Sequence, residues 1–125
     1  MGFVLSSKAD KSFWFRVDVP SVTEAGTTRV ASFDMKFKRF SRSRLNELKA
    51  QSEAFQENDD TLENDTDYVM MIAEDWRHIT DEKGADLAFS RENMHALLDA
   101  IPNAAGAVVG AFFKATLGGG AKTGN

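Results

Sequence analysis

The chain of 125 residues is long enough to bury a core of its own and leaves little room for a second domain. Its 42% hydrophobic and 27% charged residues make an ordinary globular balance, which argues against wholesale disorder. Cysteine is absent, so a disulfide scaffold, a thiolate metal site and cysteine catalysis are all excluded, and the net charge of −4 disfavours a polyanionic partner.

That charge is unevenly spread. Residues 1–50 hold ten Lys/Arg against five Asp/Glu, whereas residues 51–100 hold three against fourteen. Such polarity speaks to association and solubility rather than to fold. It fits two solvated faces of one domain, head-to-tail self-association, or a partner that reads one sign only.

Met1-Gly2-Phe3-Val4-Leu5 has no basic start, and its apolar run is too short for the core of a secretion signal. Phe13, Phe15, Val17 and Val19 then alternate with Trp14, Arg16 and Asp18, which predicts a half-buried strand closed by Pro20. A loop over Ser21–Thr27 follows. Ala31, Phe33, Met35 and Phe37 alternate with Ser32, Asp34, Lys36 and Lys38, so the two strands form an antiparallel hairpin whose apolar face must pack on something. Ser41 is placed to cap a helix running to about Gln56, with Leu45, Leu48, Ser52 and Phe55 on one stripe.

Glu57–Asp60 reads as a connection, and Asp60 or Thr61 as the cap of a second helix bearing Leu62, Thr66, Val69 and Ala73. The continuous apolar run Tyr68–Ala73 also suits a buried strand; the acidic first turn favours helix. Trp76–Ile79, the turn Asp81–Gly84 and Leu87–Phe89 predict a small hairpin or an ordered loop. Ser90 caps a helix with Met94, Leu97, Leu98 and Ile101 at helical spacing. Pro102 stops or kinks it, or opens the next. The last helix, Asn103–Leu117, ends in Gly118-Gly119-Gly120.

Candidate chemistry is thin. The acidic stretch Asp59–Asp67 invites a calcium reading, but a calcium-loop register from Asp59 puts Asn64 where glycine makes the turn and Met70 where the bidentate glutamate belongs. His78 and His95 are the only imidazoles, too few for catalytic zinc without a carboxylate at matching spacing. The triple glycine follows a helix instead of preceding one, so it is no phosphate loop. The expectation is no catalytic residue, no metal and no cofactor.

Two segments stand out. Lys36, Lys38, Arg39, Arg42 and Arg44, with Lys49 beyond, concentrate positive charge where a strand passes into a helix. They suggest a charged docking surface for an acidic protein segment or for nucleic acid, the second opposed by fourteen carboxylates downstream. The apolar run Ala104–Phe113 spans ten residues, about half of what a membrane crossing needs, and contains Gly106-x-x-x-Gly110. Either it is a central core helix, or Val108, Val109, Phe112 and Phe113 accept an apolar partner helix.

The succession Phe33–Phe40, a helix with Leu45 and Leu48, Asp75-Trp76-Arg77-His78-Ile79 and then Asp81–Asn93 resembles the tail assembly chaperones of long-tailed bacteriophages. Trp76, Gly84, Phe89, Ser90, Asn93, Leu97, Leu98 and Pro102 fit that family's places over roughly residues 28–117. The resemblance implies a non-enzymatic protein of the host cytoplasm that binds the helical tape measure protein, keeps it soluble, helps recruit tail tube protein and is absent from the virion. It also implies a longer form made by frameshifting, for which Gly118–Asn125 is a natural joint.

The reading that results is one α+β domain over residues 1–117, an N-terminal antiparallel hairpin packed on three or four helices, with a flexible tail at 118–125. It acts by non-covalent binding, with homo-oligomers along the client, no nucleic acid and no membrane. The alternatives are a nucleic-acid-associated or regulatory adaptor using residues 36–49 and a structural component of the tail or head.

Overall fold

In the computed structural model, which describes residues 11–57 and 62–118, an antiparallel sheet carries four helices. Strand β1 (Ser12–Val22) pairs with β2 (Thr28–Lys38) in one unbroken register, Ser12 opposite Lys38 and Val22 opposite Thr28. The alternation decides the faces. Val17, Val19, Phe33, Met35 and Phe37 are buried and Phe13 and Phe15 half-buried on the inner face, while Arg16, Asp18 and Ser32 are exposed on the outer one.

Pro20 does not close β1, which runs on to Val22. Backbone bonds from Arg39 N–H to Lys11 O (2.8 Å) and from Thr23 N–H to Thr27 O (2.8 Å) place the odd-numbered residues of β1 against β2. Pro20 therefore lies where its missing N–H would have pointed away from β2, and the ladder loses nothing. The connection is correspondingly shorter than the expected loop: Glu24-Ala25-Gly26, with Gly26 at φ 86°, a three-residue hairpin turn with its glycine in the left-handed region.

Helix α1 (Arg42–Glu57) is capped by Ser41 Oγ, which accepts from Arg44 N–H at 3.2 Å. Helix α2 (Leu62–Ile72) passes directly into β3 (Ala73–Arg77), a third strand antiparallel to β2, with Met35 opposite Trp76. This strand is where the hairpin or loop expectation for Trp76 is corrected. Ala73 and Trp76 turn inward and are buried, and the register steps between Lys36 and Phe37 to accommodate the entry from α2. The loop beyond it holds the expected small turn: Thr80 bridges Asp86, and Asp81 Oδ1 accepts from Lys83 N–H (2.8 Å) and Ala85 N–H (3.0 Å), with Gly84 at φ 85°. Trp76 Nε1 donates to Leu87 O at 2.8 Å and its ring meets Phe89 edge-on, which fastens the loop to the sheet.

Ser90 Oγ accepts from Asn93 N–H (3.1 Å) and opens α3 (Arg91–Ala100), which buries Met94 and Leu98. Arg91 binds both Glu63 and Asp67 and ties the start of α3 to α2; these carboxylates, Asp67 first, hold its guanidinium more firmly protonated than usual. Helix α4 (Ala104–Leu117) lies on the inner face beside β1 and buries Ala104, Val108 and Phe112. The Phe112 ring stands 5.4 Å from Phe37, which in turn stands 5.9 Å from Phe13. Asn103 Nδ2 donates to Pro20 O at 2.6 Å and anchors the start of α4 on β1. No single helix among the described residues is long and apolar enough to cross a membrane. Asp59, Asp60, the cap position Thr61, the N-terminal apolar run and residues 119–125 lie outside the described residues.

Candidate functional site

Three helices surround an open groove of about 600 Å³. Helix α1 contributes Lys49, Ser52 and Glu53, α2 contributes Asp65, Tyr68 and Val69, and α4 contributes Ala105, Gly106, Val109, Gly110, Phe113 and Leu117. Its floor is apolar. Lys49 and Glu53 on one bank, with Asp65 and Lys114, mix both signs of charge at the rim.

The groove exists because α4 is apolar all round and only one side of it finds cover. Residues 104, 108 and 112 share the side that meets the sheet, and residues 105, 109 and 113 lie a step of about 100° further round. Glycine at 106 and 110 then removes side chains that would fill the space. A Cβ built at either glycine meets no heavy atom within 4 Å. The Gly106-x-x-x-Gly110 pair, which suits close helix approach, is thus not used by any helix of the described chain.

Tyr68 forms part of the wall. Its hydroxyl donates to Leu48 O at 2.6 Å, tying α2 to α1. Burial pushes the phenol above its ordinary pKa, so it stays a neutral donor. Neither Tyr68 nor Val69 was legible as a site residue, because Val69 falls on the apolar stripe of the second helix and Tyr68 opens the apolar run 68–73, both of which read as ordinary core.

The structure separates the four apolar residues singled out on the last helix. Val108 and Phe112 are 0% exposed and belong to the core. Val109 and Phe113 are half-buried and line the groove.

The five basic residues are also divided. Lys36 and Lys38 stand on the outer sheet face, Lys36 with its Nζ 3.6 Å from Glu74 and 5.9 Å from the centre of the Trp14 ring. Arg39 lies 4.8 Å over Phe13, and Arg42 is exposed at the start of α1. Arg44 pairs with Glu47 at 3.0 Å and reaches Met71 Sδ on α2 at 3.3 Å. Part of this charge is spent within the domain, and the groove takes only Lys49 from the wider run.

His95 Nε2 lies 3.0 Å from Glu63, and His78 Nδ1 3.1 Å from Asp34. No group of three His, Asp or Glu side chains among the described residues is placed to hold a metal ion.

A family model described as phage tail assembly chaperone matches residues 2–125, nearly the whole chain. The chain belongs to that family. No curated protein and no solved structure matches it. Membership makes the chain a phage tail assembly chaperone that binds phage tail proteins, and it suggests a role without catalysis. For such a chaperone the groove is the surface to account for, since it joins exposed apolar side chains to a charged rim.

Proposed function

We propose that this tail assembly chaperone holds the tape measure protein, keeps it soluble in the host cytoplasm and helps bring tail tube protein to it, leaving before the particle is complete. The open groove between α1, α2 and α4 supports this reading best. A long helix with apolar stripes needs contacts that hide its hydrophobic face without locking it in place. Helix-in-groove docking supplies them, with apolar anchors at successive turns. Val109 and Phe113 provide complementary apolar surface, and the paired glycines let a client backbone come close to α4. Rim charges of both signs keep the complex in solution.

Co-expression of the full chain with its tape measure protein tests the proposal through the client's solubility and its co-purification. Val109→Asp and Phe113→Asp are expected to abolish capture while circular dichroism shows an intact fold. Phe112→Ala, by contrast, removes a ring from a sealed core and is expected to destabilise the fold by about 3–5 kcal/mol. A client equally soluble with and without the chaperone, or groove variants that hold it as the wild type does, would overturn the proposal.

A further inference from the structure

The sheet ends in two unequal edges. β3 is five residues long and its register is stepped, both of which blunt an edge against further pairing. β1 is eleven residues long, straight in register, and has no neighbouring strand on its outer side among the described residues. Its odd-numbered residues bond to β2, so the peptide groups of Trp14, Arg16 and Asp18 point outward along the free edge.

The side chains on this edge are self-complementary. An antiparallel pair of β1 strands centred on Val17 overlaps the whole strand, with Ser12 opposite the other copy's Val22. The outer face then sets Arg16 opposite Asp18 of the other copy and Asp18 opposite its Arg16. Trp14 faces Pro20, an aromatic ring on an apolar one, and on the inner face the half-buried Phe15 faces Val19. Shifting the register by two residues either way sets Arg16 against Arg16 or Asp18 against Asp18, which like-charge repulsion disfavours.

The backbone agrees with the side chains, because in this register the residues facing each other as hydrogen-bonded pairs are the even-numbered ones that point outward. Only Pro20 lacks a donor. Its carbonyl already accepts from Asn103 and has a second lone pair for Trp14 N–H of the other copy.

We infer that β1 is the interface between two copies of this chain, joined antiparallel about Val17 into one six-stranded sheet. The two-fold axis passes through the facing Val17 residues and runs perpendicular to the sheet, so the inner faces of both copies, each with its α4, lie on the same side. This interface does not use the α1/α2/α4 groove, so its fate is separable from that of client binding.

Sedimentation of the full chain over a concentration series tests the interface. A dimer is expected for the wild type, and Asp18→Arg or Arg16→Asp alone should weaken it roughly tenfold by setting like charges opposite each other. The double exchange Arg16→Asp with Asp18→Arg restores opposite pairing and should recover the dimer, which general damage to the strand would not allow. Because the chain has no native cysteine, a mixture of Arg16→Cys and Asp18→Cys chains should form the mixed disulfide on oxidation far faster than either chain with itself.

A wild type that stays monomeric at all concentrations would overturn the inference. So would a dimer indifferent to both single reversals, which would place the contact elsewhere. A monomer that pairs only after residues 1–10 are removed would assign this edge to the chain's own N-terminal segment, and would equally overturn it.

Discussion

The hydroxyl of Tyr68 on α2 and the carbonyl oxygen of Leu48 on α1 stand 2.6 Å apart, and this hydrogen bond holds together two walls of the groove. It crosses between elements twenty residues apart in the chain, and Leu48 itself is sealed in the core. The bond therefore links the stability of the domain to the shape of its candidate binding surface.

Tyr68→Phe keeps the ring and removes the donor. A buried neutral hydrogen bond contributes on the order of 1 kcal/mol net, so urea denaturation is expected to show a loss of about that size with an unchanged slope. The midpoint of thermal unfolding should fall by roughly 4 °C. An unchanged midpoint would mean that the bond contributes nothing to holding α1 on α2.

Gly106→Ala and Gly110→Ala act on fold and function in opposite directions. Both glycines are helical and exposed, and an added methyl meets nothing within 4 Å, so each substitution should stabilise the chain by roughly 0.5–1 kcal/mol. The same methyls occupy the face offered to a partner helix, so client capture should weaken. Stability from denaturant titration and capture from co-purification read the two effects separately. A destabilised variant would contradict the open geometry of α4.

Asp18 provides a pH-dependent mark on the edge strand. Ser32 Oγ donates to its Oδ1 at 2.6 Å, and this bond, with the nearby Arg16, holds the carboxyl below its ordinary pKa against the opposing effect of burial. A depressed folded-state pKa contributes stability that is present above the unfolded value, about 3.9, and is lost as pH falls through the folded value. Ser32→Ala should move the titration of Asp18 upward towards the ordinary value, as carboxyl NMR shifts would show. The pH dependence of stability below the ordinary carboxylate range should flatten accordingly. No upward movement would show that Ser32 does not set the acidity.

The elements that could be read ahead of the structure are those carried by a local pattern. Phe33, Met35 and Phe37 alternate because one side of a strand is buried, and Ser90 sits three residues before the N–H it caps. Such signals need only the few residues on either side. β3 has no comparable signal: Ala73–Arg77 is five residues long, joins α2 without a turn, and follows an apolar run that keeps helical spacing up to Ile72. What makes it a strand is its pairing with β2, whose partners lie about forty positions earlier in the chain.

The same division holds for the candidate site. That α4 would be apolar all round, with a pair of glycines four residues apart, is written in residues 104–117. Which of its sides would be sealed depends on how it is turned against its neighbours. Phe112 and Phe113 are chemically alike and adjacent, yet one helical step of about 100° sends the first onto Phe37 and the second into the groove. Composition and periodicity establish that the helix has more apolar surface than a single interface can cover. Packing against the sheet chooses which side is left over, because an amphipathic pattern indicates a direction only when some of its residues are polar, and α4 has scarcely any.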